Sequence, residues 1–326
     1  MKRIILVLEP FCREHMDRIK MAARDEFTVE TIDKYYDEEL LADALKRAEI
    51  VVGAPPMELI AHPGKDCPNL RFIQMVWAGT DMYSRNTIPF PSESISLANG
   101  SGAYGLIISQ YVVGMILSLM LNFKDYHNQQ LNKVWERRLP MQSLDHAQVL
   151  IYGAGNIGSV TAKRLKGFDA HTIGVCRNTD SPRQYFDELC TLDDAEKYLP
   201  NADVVIGCLP NTADTEGYFD SRRLHLMKQN CVFVNVGRGN FVDCMALDKV
   251  LREGLLWGAA LDVTDPEPLP TEHPLWDNPN CIITPHSSGS SFHALKATED
   301  LICNIVCENI TRYINNDDII NKVDFA

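Results

Sequence analysis

The sequence lacks any apolar run approaching the ~18–20 residues of a membrane span. It also lacks internal repeats at solenoid periods and low-complexity linkers. These absences argue against a membrane-spanning chain and a repeat array, and they place any domain boundary in tight crossings. Basic charge is short as well: 31 Lys and Arg stand against 44 Asp and Glu, for a net charge of −13. That balance disfavours nucleic acid or an anionic membrane surface as the main partner, while leaving room for a local basic pocket. The chain opens basic and then apolar, but the Ile4–Leu8 run is too short for a signal-peptide core and reads as a buried first strand. Ten cysteines are present, yet no Cys-x-x-Cys pair and no Cys/His spacing of a zinc site is read, so no metal is expected. Cys176, Cys208, Cys231 and Cys281 sit in or beside apolar strand-like runs, where a thiol behaves as a small hydrophobe. Cys303 and Cys307, one helical turn apart, read as core packing. A reducing, cytoplasmic setting is the expectation.

What is present suits a globular enzyme: 45% hydrophobic and 23% charged residues in a chain of 326, long enough for two domains. In the first hundred residues, Arg3–Leu8, Phe27–Ile32, Ile50–Gly53, Leu70–Val76 and Ser94–Ala98 read as strands, with helices at Cys12–Ala23 and Glu38–Arg47. Such alternation implies a parallel sheet with helices on both faces. Tyr104–Leu121 reads as a long buried helix near a domain or subunit junction. A second series follows, with strands at Gln148–Tyr152, Thr172–Cys176, Val204–Cys208, Cys231–Asn235, Gly258–Val263 and Ile282–Thr284. Helices at Ile157–Leu165, Asp194–Tyr198 and Cys244–Glu253 complete a six-strand doubly wound pattern. A tail helix, Phe292–Ile314, lets the chain return to the first domain. The expected architecture is α/β: a Rossmann dinucleotide-binding domain over residues 101–290 and a flavodoxin-like substrate domain from 1–100 with 291–326, with a cleft between them.

Four clusters carry chemistry. Gly153-Ala154-Gly155-Asn156-Ile157-Gly158 follows an apolar strand and opens an amphipathic helix, the context that gives a Gly-x-Gly-x-x-Gly meaning. Gly153 permits the tight turn, Gly155 lets the backbone approach a pyrophosphate, and Gly158 lets helix and strand pack closely. The bland alternative is a glycine-rich turn with no ligand. Asn235-Val236-Gly237-Arg238-Gly239 ends another strand, and an Arg between two glycines there is placed to grip a small carboxylate bidentately. Leu261–Pro270 runs from a strand into an acidic, Pro-rich loop, and Ile282–Gly289 runs from a strand into a loop with His286 at its tip. A His and a Glu at strand ends beside a cofactor site can form a general acid pair, the Glu orienting the ring. The other eight histidines offer no comparable reason for a role.

Together these segments resemble the D-isomer-specific 2-hydroxyacid dehydrogenases, glyoxylate and hydroxypyruvate reductases among them, almost end to end. The resemblance adds Leu209-Pro210-Asn211-Thr212…Thr215 as a cofactor loop and Asn321-Lys322-Val323-Asp324 as a family tail. It implies Arg238, Glu267 and His286 as the catalytic set, Glu267 being the acid directly before Pro268. It implies cofactor contacts from Gly153, Gly155, Asn156, Ile157, Gly158, Leu209, Pro210, Thr215, Val236 and Gly237, and from Asp262 on the nicotinamide side. Ala78 and Gly79 match the loop whose backbone N–H groups hold the substrate carboxylate. The activity implied is reversible reduction of a small 2-oxoacid to the D-2-hydroxyacid, by a homodimer joined through the cofactor domain. Two departures stand out: Ser287-Ser288-Gly289 after the His, and no acid at the cofactor-specificity position.

That second position, about 20 residues past the Gly-rich turn, carries Arg177 and Asn178 in place of the acid that bonds a ribose 2′-hydroxyl. A guanidinium attracts a 2′-phosphate, and Ser181 and Arg183 follow closely, so NADP is the expected cofactor, with NAD the alternative and Asp180 its possible ligand. Pro55, Pro56, Met57, Trp77 and Met82 are the expected first-domain lining of the substrate pocket. They are apolar and include no cationic cluster, which disfavours a phosphorylated substrate and favours glyoxylate, hydroxypyruvate or a modest apolar 2-oxoacid. A cofactor-sensing, corepressor-like protein of the same fold is the alternative from another class, since it would keep the same residues. Formate oxidation is less apt, because that branch pairs its His with Gln where Glu267 stands here.

Overall fold

The computed structural model describes residues 2–32, 37–84 and 86–325. Its contacts divide the chain into two units, Met1–Tyr104 with Ser291–Ala326, and Gly105–Ser290.

Unit 1 runs β1 (Arg3–Val7), α1 (Arg13–Ala23), β2 (Phe27–Thr31), α2 (Glu38–Arg47), β3 (Ile50–Val52), α3 (Pro63–Asp66), β4 (Phe72–Gln74), α4 (Asp81–Ser84) and β5 (Ser96–Ala98). The strands form one parallel sheet in the order β2-β1-β3-β4-β5. Ile5 on β1 faces Val29 on one side and Ile50 on the other. A strand flanked on both edges and covered on both faces must be apolar throughout, which is why Ile5, Leu6 and Val7 have no polar alternation. Helix α2 starts where Asp37 accepts a hydrogen bond from the Leu40 N–H at 3.0 Å, with Glu38 and Glu39 in its first turn and Lys46 and Arg47 in its last.

Unit 2 contains α5 (Gly105–Met120), α6 (Phe123–Leu131), β6 (Gln148–Tyr152), α7 (Asn156–Leu165), β7 (His171–Val175), β8 (Glu188–Cys190) and α8 (Leu192–Ala195). It continues with β9 (Val204–Gly207), α9 (Ser221–Leu226), β10 (Cys231–Asn235), α10 (Cys244–Arg252), β11 (Leu256–Leu261) and β12 (Cys281–Ile283). Its parallel sheet has the order β12-β11-β10-β9-β6-β7-β8, so the chain leaves β6 in both directions and reverses between β6 and β9. In open α/β sheets ligands bind beyond the strand ends at such a switch. Tyr152, Phe219, Phe233 and Phe241 pack edge-to-face beneath it at 5.2–5.4 Å. The Tyr152 hydroxyl is buried with no hydrogen-bond partner among the described residues. The neighbouring Tyr218 hydroxyl donates instead to the Leu192 carbonyl at 3.2 Å. The chain then re-enters unit 1 as α11 (Lys296–Asn315), whose Asn309 amide donates to the Gln74 side chain on β4 at 2.6 Å.

Several expectations need correction. The second sheet has seven strands and not six, because Glu188–Cys190 adds an edge strand beside β7. The helix expected over 194–198 is the short α8, capped by Thr191 and followed by a tight 3₁₀ turn over Glu196–Asn201 that accommodates Pro200. The strand expected at 258–263 begins at Leu256 and ends at Leu261, and the tail helix begins at Lys296, not Phe292. Helices α3, α4, α6 and α9 add to the expected set. No single helix among the described residues is long and apolar enough to cross a membrane; α5 and α6 pass that test only as a pair, bent by 67° at their junction.

Candidate active site

The first strand end is the Gly-rich turn after β6. Gly153 has φ +108°, a region that glycine occupies without strain, and its N–H donates to the Val175 carbonyl at 3.1 Å. A Cβ on Gly158 would sit 2.0 Å from the Gly153 carbonyl oxygen, so only glycine lets α7 pack onto the turn. Gly155 is different: it is exposed, and a Cβ there would meet nothing within 4 Å. It is also the N-cap of α7 and brings no side-chain acceptor, whereas Asp37, Asp220 and Asp243 cap α2, α9 and α10. The first turn of α7 carries no acid and its last carries Lys163 and Arg164. Open backbone and uncapped N–H groups at the positive end of a helix fit an anionic pyrophosphate. Exposed Asn156 and half-buried Ile157 open that helix, and a Cβ on Gly105 of α5 would stand 2.3 Å from the Asn156 side-chain oxygen.

Beyond β7, Arg177 and Asn178 are both exposed. The Asn178 side chain accepts from the Asp180 N–H at 2.8 Å. Arg183, half-buried, donates to the Ala154 carbonyl at 2.6 Å, which fastens a second guanidinium to the Gly-rich turn itself. Beyond β9, Thr215 is buried and ties its loop together, accepting from the Thr212 N–H and donating to the Pro210 carbonyl, each at 2.9 Å. Leu209 is half-buried and Pro210 exposed on that loop.

The Arg238 turn beyond β10 is built by close approach. A Cβ on Gly237 would lie 2.6 Å from the Leu209 carbonyl oxygen, and one on Gly239 would lie 1.9 Å from that of Thr264. Asn235, fully buried, braces the turn by accepting from the Gly237 N–H at 3.1 Å and donating to the Arg238 carbonyl at 2.8 Å. Val236 is buried, and Arg238, half-buried between the glycines, donates to the Gly237 carbonyl at 2.8 Å.

The fourth strand end brings Glu267 and His286 together. His286 Nδ1 lies 2.6 Å from Glu267 Oε1, with the two side chains 50% and 43% exposed. Nε2 is the ring nitrogen left for a substrate. His286 sits at φ +51°, a conformation that costs a non-glycine residue about 1–3 kcal/mol and persists only where its surroundings impose it. Asp262 imposes it. Its carboxylate, 1% exposed, accepts from the Thr284 hydroxyl at 2.6 Å and from the Ser287 and Ser288 N–H groups at 2.8 and 3.0 Å. Its carbonyl accepts from the His286 N–H at 2.8 Å. Thr284 in turn shares a 2.6 Å hydrogen bond with Tyr111 of α5, whose hydroxyl burial pushes up to about 12. Asp262 thus organises the His286 loop from beneath, a position its resemblance to a cofactor contact does not express. Ser287 and Ser288, the departure noted in the sequence, supply the backbone donors. Thr284 and Tyr111 were not singled out; only the strand-end position of Thr284 hinted at them.

In unit 1, the Ala78–Gly79 loop follows β4 and leads into α4, and Asn99 donates to the Ala78 carbonyl at 2.9 Å. The Ala78 and Gly79 N–H groups donate to no backbone carbonyl among the described residues. Pro55 and Met57, expected to line a substrate pocket, are core instead. Met57 is 2% exposed, and the Pro55 carbonyl accepts from the buried Tyr83 hydroxyl at 2.8 Å. Pro56, Trp77 and Met82 stay at least partly exposed.

Comparison with known proteins points one way. The family model described as the NAD-binding domain of D-isomer-specific 2-hydroxyacid dehydrogenases matches residues 113–288. A glyoxylate reductase of Thermofilum pendens is 31% identical over 246 residues, covering 72% of this chain and 70% of that protein. The crystal structure of a D-isomer-specific 2-hydroxyacid dehydrogenase family protein from Aeromonas salmonicida superposes with a TM-score of 0.85 at 31% identity, covering all of both chains. An NADPH-dependent glyoxylate/hydroxypyruvate reductase of Sinorhizobium meliloti, 24% identical, shares the fold with a TM-score of 0.79 over 99% of each chain.

Proposed function

The chain belongs to the D-isomer-specific 2-hydroxyacid dehydrogenase family, an oxidoreductase family acting on small 2-hydroxyacids and 2-oxoacids, and from that premise we propose that it reduces a small 2-oxoacid with NADPH through Arg238, Glu267 and His286. The observation that carries this reading is the His286–Glu267 pair at 2.6 Å, beyond the strand ends of a sheet whose switch point carries an open Gly-rich turn. When bound, the nicotinamide cofactor supplies the hydride equivalent that reaches the carbonyl carbon. The turn at Gly153, Gly155 and Gly158 holds the pyrophosphate, with the loops at Leu209–Thr215 and Val236–Gly237 as further walls. Arg238 grips the substrate carboxylate and polarises the ketone. Glu267 holds the His286 ring through Nδ1, and Nε2 gives its proton to the developing alkoxide oxygen. In the oxidative direction a neutral ring takes that proton back, so the two directions need opposite protonation states.

NADP is favoured over NAD by the exposed Arg177 at the ribose position and by Arg183 fixed on Ala154. A 2-oxoacid without phosphate, such as glyoxylate or hydroxypyruvate, suits unit 1 positions Pro56, Trp77 and Met82, which are at least partly exposed and carry no cation. A homodimer is part of the proposal, supported by the run of exposed apolar side chains Leu131, Val134, Trp135, Leu139 and Met141; sedimentation as a monomer at micromolar concentration removes it. The test of function is loss of nicotinamide absorbance with a panel of 2-oxoacids, run with both cofactors. Turnover with NADPH and glyoxylate or hydroxypyruvate is expected. No turnover on any 2-oxoacid overturns the reading in favour of a cofactor-sensing protein. Arg177→Asp is expected to weaken NADPH far more than NADH; a wild type with higher kcat/KM for NADH defeats the cofactor assignment.

A further inference from the structure

Unit 1 carries a cluster that this activity does not use. Cys12 is the N-cap of α1, but its thiol caps no backbone N–H; it lies 3.3 Å from His15 Nδ1. His15 is fully buried, and Glu299 on α11 brings a carboxylate oxygen to 3.8 Å from the same ring nitrogen. The three donor atoms all lie within 4.8 Å of one another. The other ring nitrogen, Nε2, lies 2.7 Å from Asp300 Oδ1. Lys296 bonds Asp300 at 3.3 Å and Glu14 at 3.2 Å, so its charge is shared between those two carboxylates.

We propose that Cys12, His15 and Glu299 form a binding site for Zn²⁺ or a similar borderline divalent cation, with Asp300 as the carboxylate that orients the histidine. The donor set is thiolate, imidazole and carboxylate, the combination that zinc accepts. Zn–S and Zn–N bonds of ≈ 2.3 and ≈ 2.0 Å at a tetrahedral angle place sulfur and nitrogen roughly 3.5 Å apart, close to the spacing here. The Glu299 oxygen stands 3.8 Å from Nδ1, against roughly 3.3 Å in a tetrahedral site, so it moves inward by at least ~0.5 Å to bind. A metal-bound His characteristically gives its second nitrogen to a carboxylate, which fixes the ring, and Asp300 stands there. Cys12 is exposed, which gives the ion a way in, and its thiol proton leaves to solvent on binding. His293, whose Nδ1 is 3.8 Å from the other Glu299 oxygen, is a candidate for the fourth ligand, with water as the alternative. The sequence carries a signal in Cys12-x-x-His15, which sets two ligands one turn apart at the start of α1. The third ligand, on α11, lies nearly the whole chain away.

The test uses the reduced, chelator-treated full-length protein titrated with Co²⁺ and, by calorimetry, with Zn²⁺. One equivalent per chain and a near-ultraviolet sulfur-to-cobalt charge-transfer band are expected. Cys12→Ser should abolish the band while its thermal melt without metal stays at wild type. Asp300→Asn should weaken Zn²⁺ roughly 10–100-fold and keep the band. Cys307→Ser, which alters the neighbouring Cys303–Cys307 pair 3.8 Å apart, should change neither. No band in the wild type, a band that survives Cys12→Ser, or one lost in Cys307→Ser overturns the proposal. None of these readouts depends on turnover, so they stand or fall apart from the reductase reading.

Discussion

His286 and His15 are built alike and surrounded differently. Each holds a carboxylate oxygen on one ring nitrogen, at 2.6 Å from Glu267 and 2.7 Å from Asp300. His286 stands half exposed at a loop tip with its second nitrogen turned to no protein partner among the described residues. His15 is sealed between α1 and α11, with its second nitrogen beside a thiol. The carboxylate pair therefore does not decide what a histidine does. The partner of the other nitrogen and the reach of solvent decide it, and the two sites differ in both.

The strongest way to break this comparison is to remove each ring. His286→Ala should lower kcat by about 10²–10⁴-fold, the usual worth of a general acid, with NADPH affinity near wild type. His15→Ala should leave kcat near wild type and lower stability instead, by about 2–5 kcal/mol, because deleting a fully buried ring leaves a cavity. Steady-state kinetics and urea melts on both variants settle it; equal losses of turnover would erase the distinction. Next in size is the support of His286. Asp262→Ala leaves the Thr284 hydroxyl and two backbone N–H groups without their acceptor, so stability should drop by about 3 kcal/mol. Turnover should fall with it while the oxoacid KM moves less, and a variant with unchanged kcat would show that the loop holds its strained backbone unaided.

A smaller effect separates the pairs by pH. The His15 hydrogen bond, above all, holds the Asp300 carboxyl below its ordinary value of 3.8, against the pull of burial. A group with a lowered folded pKa stabilises the fold above its unfolded pKa, and that contribution disappears as pH falls through the folded value. Asp300→Asn should thus lower Tm at pH 7, with the gap narrowing below pH 3.8 and closing only below the lowered folded value. A Tm gap that persists there would assign the effect to packing. The smallest change expected is Tyr152→Phe. It removes a buried hydroxyl that has no partner among the described residues, so stability should stay level or rise by up to about 1 kcal/mol. A clear loss would reveal a hydrogen bond in solution.

The site was legible where chemistry is contiguous. Gly153–Gly158, Gly237–Gly239 and Thr284–Gly289 each declare a strand end and a turn, and glycine spacing reports close backbone approach directly. The long apolar helix and most strands were readable for the same reason, since buried parallel strands are unbroken Val, Ile and Leu. The seventh strand was not, because Glu188–Cys190 is short, lies at an edge and mixes a charged with a buried residue. Asp262 was visible as a motif member, but its task depends on where Ser287 and Ser288 point their N–H groups. Pro55 and Met57 read as pocket lining because apolar character cannot say whether a side chain faces a ligand or Tyr83.

The Asn309–Gln74 bond sets an order of assembly. The Gln74 side chain, fully buried on β4, donates to the Met75 carbonyl at 2.8 Å, but its oxygen accepts from Asn309, 235 positions later. Strands β1–β5 leave the ribosome well before the helix that packs on α1 and satisfies Gln74. The intervening unit, Gly105–Ser290, is complete by residue 290. The segment translated first thus completes the buried hydrogen bonding of its own sheet only after residue 309 has emerged.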